Sequence, residues 1–137
     1  MKRRFLMAAG LAAALAVGYF AVDAVNERQL SSTFNRIYTD GTWGRDGAGR
    51  GTSGTGSTLA ITQEYRAYIE DFIKTHRVMS VVDAGCGDWG FSSAIDWGAA
   101  SYLGVDIASD VIATLRRRHE SNRIRFQVGD VTDDLPA

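Results

Sequence analysis

The chain has 137 residues, 45% of them hydrophobic and 23% charged, with a net charge of −1. That length suits one domain, and the near-neutral balance excludes a bulk electrostatic pull toward nucleic acid. A single cysteine, Cys86, excludes an intramolecular disulfide and any multi-cysteine zinc site.

The first segment does not read as globular. Met1-Lys2-Arg3-Arg4 precedes an uncharged run from Phe5 to Val22, closed by Asp23. A basic start and an apolar run are the layout of a signal peptide or a signal anchor. As a helix the run spans roughly 27 Å, enough for a thin bilayer core. Asp23 spoils the small-x-small cleavage pattern, and the run is long for a cleaved signal. Residues 1–24 are therefore expected to be a membrane anchor, ahead of a cleaved signal or a buried helix.

Residues 26–38 read as a short amphipathic helix with Leu30, Phe34, Ile37 and Tyr38 on one side. The glycine-rich stretch 41–58 taken alone reads as a linker. It is not a phosphate-cradling P-loop, because no lysine stands before Ser57-Thr58. Residues 25–58 thus form a helix and a glycine-rich segment ahead of a main domain at 59–137.

Within that domain Tyr65, Tyr68, Ile69, Phe72 and Ile73 recur at the spacing of one apolar helix face, with Thr62 as candidate N-cap. Residues 78–82 have the β-branched, apolar composition of a buried parallel strand. A short helix is expected over 91–97 and a second strand over 101–105, closed by Asp106. Ser109 is expected to cap a helix that buries Val111, Ile112 and Leu115. Residues 124–128 alternate in period two, as an edge strand does. His76 and His119 fall near helix C-termini, where an imidazole is favourably placed without any catalytic role. Strand–helix–strand–helix–strand opens a doubly wound α/β sheet, and right-handed crossovers order its strands 3-2-1.

Ligands of such sheets bind beyond the carboxyl ends of the strands, and each strand here ends in an acid: Asp83, Asp106 and Asp130. The first leads into Gly85-Cys86-Gly87-Asp88-Trp89-Gly90, a turn in which glycines let backbone approach a ligand closely. Asp106 comes about 20 residues later, where a crossover delivers a carboxylate to the two hydroxyls of a ribose. Asp130 could accept from an adenine amine while Val131 packs on the ring. The glycine spacing also satisfies the dinucleotide fingerprint, but Asp83 and Asp88 would repel a pyrophosphate and suit an ammonium and a sulfonium.

Val81-Val82-Asp83-Ala84-Gly85-Cys86-Gly87-Asp88 resembles motif I of class I S-adenosylmethionine-dependent methyltransferases, in a branch with Cys-Gly-Asp followed by an aromatic. Leu103-Gly104-Val105-Asp106-Ile107 is similar to their second-strand acid motif, and Gly129-Asp130-Val131 to their adenine-contacting motif. The resemblance implies a Rossmann-like methyltransferase fold and S-adenosyl-L-methionine as cofactor. The residues it implies for the cofactor are Asp83, Gly85, Cys86, Gly87, Asp106, Ile107, Asp130 and Val131. Asp83 would order the methionine end, Asp106 the ribose and Asp130 the adenine. The pattern departs at Trp89, where the family carries its third glycine. Upstream, Ile37-Tyr38, Trp43-Gly44 and residues 53–57 resemble the segment that precedes motif I, which makes 41–58 a cover for cofactor or substrate.

Two further expectations concern the extent of the chain and its location. The family's sheet has seven strands and only three are read here, so the chain is expected to be a cofactor-binding half, inactive alone, with an unknown methyl acceptor. An anchored enzyme needs its cytosolic cofactor, so the domain is expected to face the cytoplasm. The basic N-terminus would instead send it outward unless the topology is inverted, the anchor lies on the cytoplasmic face, or the start is assigned too early. A nicotinamide-dependent oxidoreductase fragment and a membrane-tethered remnant without activity are the alternatives.

Overall fold

The computed structural model describes residues 25–132. The chain forms two compact units, Met1–Leu30 and Ser31–Ala137. Of the first, the described residues 25–30 are helical and exposed. The expected anchor, Phe5–Val22, lies outside the described residues; among those described, no helix is long and apolar enough to cross a membrane.

Helix α1 covers residues 25–40. Then come α2 (Gln63–His76), β1 (Ser80–Ala84), β2 (Ser101–Asp106), α3 (Ser109–His119) and β3 (Ile124–Val128). The fold is α/β, with three parallel strands in the order β1-β2-β3, which is the expected 3-2-1. Registers Val81↔Tyr102 and Asp83↔Gly104, then Gly104↔Phe126 and Asp106↔Val128, bring the three carboxyl ends to one side.

One face of this sheet carries the core. Tyr102 and Phe126 meet Cys86, Trp89, Ile112 and Leu115 there, with Val81, Val111 and Ile124 partly buried against them. Gly104 permits this packing: a Cβ on it would lie 2.9 Å from both Cys86 Sγ and a Phe126 ring carbon. Arg116 Nε donates to Phe126 O at 2.8 Å, fixing the end of α3 over β3.

The opposite face differs from expectation. β1 was expected to be buried, yet its residues alternate, and Val82 is 45% exposed. A parallel strand is buried on both sides only when helices cover both faces; here α3 packs on β2 and β3, while α2 has no comparable contact with any strand. Helix α2 instead meets the loop after β1, through the Tyr65–Phe91 rings and Glu70 Oε1, which accepts from Asp96 N. Its apolar stripe is accordingly open at Tyr65, Tyr68 and Phe72, and within it only Ile73 is buried.

The caps also differ. Thr62 is the N-cap of α2, but its hydroxyl donates back to Thr58 O at 2.8 Å and caps nothing. Ser109 is the first residue of α3, after Ala108 at the cap. An orphan amide of α3 is satisfied from α1: Asp110 N donates to Asn35 Oδ1 at 3.1 Å, and Asn35 Nδ2 donates to Ser109 Oγ at 2.9 Å.

Candidate functional site

The strand ends converge on the turn after β1. Gly85 N and Cys86 N both donate to Val105 O, at 2.8 and 3.0 Å, so the turn is stitched to the end of β2. Gly87 N donates to Asp106 Oδ2 at 2.9 Å, and Ala108 N donates to Asp106 Oδ1 at 2.8 Å. Asp106 is thus a buried carboxylate in which each oxygen already holds one backbone amide. Carboxylate oxygens accept more than one hydrogen bond, so ribose hydroxyls would add to this clamp. Gly129 N donates to the Asp106 carbonyl at 3.1 Å, bringing the end of β3 to the same point.

Asp83 lies within β1, one residue before its end, and is half buried. Its Oδ2 accepts from Tyr102 OH at 2.6 Å and from Ser92 Oγ at 3.1 Å. Asp130 closes a small turn in which its Oδ1 accepts from Thr132 Oγ1 at 2.7 Å and Thr132 N at 2.9 Å. Those donors, the hydroxyl first, hold its carboxyl below the usual range. Val131 and Ile107 are partly buried. Cys86 is buried in the core, and burial, reinforced by the Asp106 and Asp83 carboxylates, pushes its thiol far up. It packs as a small apolar side chain, with no sign of a reactive thiolate.

The turn takes left-handed backbone at Gly85 (φ 79°), Gly87 (φ 55°) and Trp89 (φ 58°). Trp89, the departure from the glycine pattern, therefore keeps the conformation a glycine would supply. Its indole is buried against Tyr102, His119 and Phe126 at centroid distances of 5.8, 5.0 and 5.2 Å. The packing of a large aromatic offsets the roughly 1–2 kcal/mol strain of that backbone.

The two glycines face different surroundings. A Cβ on Gly85 would meet nothing within 4 Å, which leaves room over the turn. A Cβ on Gly87 would collide with Ser53 Oγ and lie 2.8 Å from Tyr38 OH. The close approach at Gly87 is therefore to the chain's own glycine-rich segment. That segment is ordered by an Arg45↔Gly51 bridge and a short 3-10 helix at Thr55–Ser57. Ser53 Oγ donates to Asp88 Oδ1 at 2.6 Å and accepts from Asp88 N at 3.1 Å. With the serine proton committed to Asp88, the 3.1 Å contact between Tyr38 OH and Ser53 Oγ is a donation from Tyr38. Burial pushes the Tyr38 phenol up to about 12, against the lowering effect of its bond to Ser53 and with the Asp106 and Asp88 carboxylates adding to the rise.

A groove of about 1210 Å³ opens between this strap and α3, lined by Trp43, Ser53, Asp88, Gly90, Thr114 and Arg118 among others. None of the residues expected to hold a cofactor lines it; it touches the turn only at Asp88, Trp89 and Gly90.

No family model, curated protein or solved structure matches this chain.

Sequence reasoning missed Tyr102, Ser92 and Asn35 and placed Ser53 only within the 53–57 resemblance; each reaches its partner only through the fold. For Ser53 a signal existed in the glycine-rich stretch; for Tyr102 none did beyond a polar aromatic inside a strand.

Proposed function

We propose that the carboxyl ends of β1, β2 and β3 form the adenosyl-binding half of a Rossmann-like, class I S-adenosylmethionine-dependent methyltransferase. The observation that carries this reading is the character of the segment after the glycine turn. A dinucleotide site needs a helix N-terminus there, with free amides for the pyrophosphate. Here the only helix between β1 and β2 is the three-residue 3-10 turn Ser92–Ala94, and Gly87 N is already given to Asp106. Asp83 and Asp88 add negative charge where phosphates would sit. A ligand with an ammonium and a sulfonium in place of phosphates suits those carboxylates.

In this reading the space over Gly85 admits the ligand along the backbone, Asp83 meets the ammonium, Asp106 holds the ribose hydroxyls, and Asp130 with Val131 receives the adenine. Cys86 and Gly87 contribute through the shape of the turn and Ile107 through its place after Asp106. S-adenosylmethionine supplies a methyl group open to in-line displacement, and the chain's contribution is to position it.

Calorimetric titration of the full chain with S-adenosylhomocysteine and, separately, with NAD tests this. S-adenosylhomocysteine is expected to bind and NAD not to. Asp106→Ala, checked for retained fold by circular dichroism, is expected to abolish the signal. Binding of NAD alone would replace the methyltransferase reading with an oxidoreductase one.

A further inference from the structure

Tyr102 is a buried polar group that the roles above leave unused. It is 2% exposed, and its ring is held by Trp97, Trp89 and Phe126 at centroid distances of 4.7, 5.8 and 6.0 Å. In the β1–β2 register it stands opposite Val81, so its ring shares the covered face with Asp83, two residues further along β1. From there its hydroxyl donates to Asp83 Oδ2 at 2.6 Å. Ser92, also 2% exposed, donates to the same oxygen at 3.1 Å, and its own carbonyl accepts from Trp97 Nε1 at 3.1 Å. Two donors anchored in the core thus converge on Oδ2, and Oδ1 receives none from the described residues. Burial first, and the charge of Asp83 second, push the Tyr102 phenol far up, so it remains a donor at any ordinary pH.

A carboxylate pinned through one oxygen presents the other in a fixed direction. A free aspartate at a strand end would have to give up rotamer freedom on meeting a cation; this one has given it up on folding. We propose that Tyr102, with Ser92 in support, is a positioning residue that aims Asp83 at the ammonium of an adenosyl amino-acid ligand. The inference rests on the S-adenosylmethionine reading and adds to it the device that fixes the amino-acid end. A pair serving stability alone would be indifferent to which end of the ligand is present.

The test compares S-adenosylhomocysteine with 5′-methylthioadenosine, which keeps the adenosine and thioether and lacks the amino-acid tail. Tyr102→Phe preserves the ring contacts and deletes only the donor. It is expected to weaken S-adenosylhomocysteine about tenfold in calorimetric titration of the full chain and to leave methylthioadenosine unchanged. Asp83→Asn is expected to show the same selectivity. Should Tyr102→Phe fail to fold, Ser92→Ala carries the test with a smaller loss in the same direction. Equal weakening of both ligands, or of neither, overturns the positioning role while the cofactor reading stands. A wild-type chain that binds neither ligand overturns both.

Discussion

Gly85 and Gly87 are two residues apart, share left-handed backbone, and differ in what stands beside them. Replacing each by alanine separates backbone strain from strap packing. At Gly85 (φ 79°) the new Cβ meets nothing within 4 Å, so Gly85→Ala bears only the left-handed penalty, about 1 kcal/mol after allowing for the stiffer unfolded chain. At Gly87 (φ 55°) the same penalty applies, and the Cβ also falls on Ser53 Oγ and 2.8 Å from Tyr38 OH. Both belong to a packed network, so overpacking adds roughly 1–3 kcal/mol. Displacing Ser53 also breaks its two bonds to Asp88, at a net cost of about 1 kcal/mol. Gly87→Ala should therefore be less stable than Gly85→Ala by about 2–4 kcal/mol. Urea unfolding tracked by tryptophan fluorescence measures the difference. Ser53→Gly in the Gly87→Ala background should recover part of it, because the two positions couple. If the two alanine variants unfold within about 0.5 kcal/mol of each other, the strap does not press on the turn and the account of Gly87 is wrong.

Trp89→Gly relaxes the left-handed backbone but removes a buried indole. The core term of about 3–5 kcal/mol outweighs the roughly 1–2 kcal/mol recovered, so urea unfolding should register a net loss. The pH dependence of stability should carry the mark of Tyr38. Its folded phenol is pushed up to about 12 from an ordinary value of 10.0, so the stability it contributes is present below the ordinary value and is lost as pH rises toward the folded one. Urea midpoints should fall as pH rises from about 10 to about 12; Tyr38→Phe should flatten that slope in part, since Tyr102 shifts the same way.

What could be read from the residues was what depends on near neighbours. The alternation over 124–128 gave β3 its observed bounds, and the apolar run over 101–105 gave β2, because strand signals are written within the strand itself. The acids were legible as lying near the strand ends, though only Asp106 closes its strand, with Asp83 inside β1 and Asp130 two residues past β3. The prior engagement of Asp106 with Gly87 N and Ala108 N was not legible, since those amides belong to two different loops. Periodicity in α2 correctly marked an apolar stripe; nothing in periodicity says whether a neighbour covers it, and Tyr68 remains 62% exposed. Trp89 stands where the family pattern carries glycine, and a local rule favours glycine at its positive φ. The rule was overridden by a tertiary gain, burial of the indole among Tyr102, His119 and Phe126.

The bonds of Asn35 and Ser53 also bear on how the turn comes to be shaped. Ser53 meets Asp88 across 35 residues of chain, and Asn35 meets Ser109 across 74. Contacts of such separation form only after the entropy of closing those loops has been met. On a ribosome, α1 and the strap emerge before their partners: Ser53 must wait for Asp88 in the glycine turn, and Asn35 for the start of α3. The glycine turn, legible as a local motif, should therefore be among the last parts of this chain to acquire its final geometry.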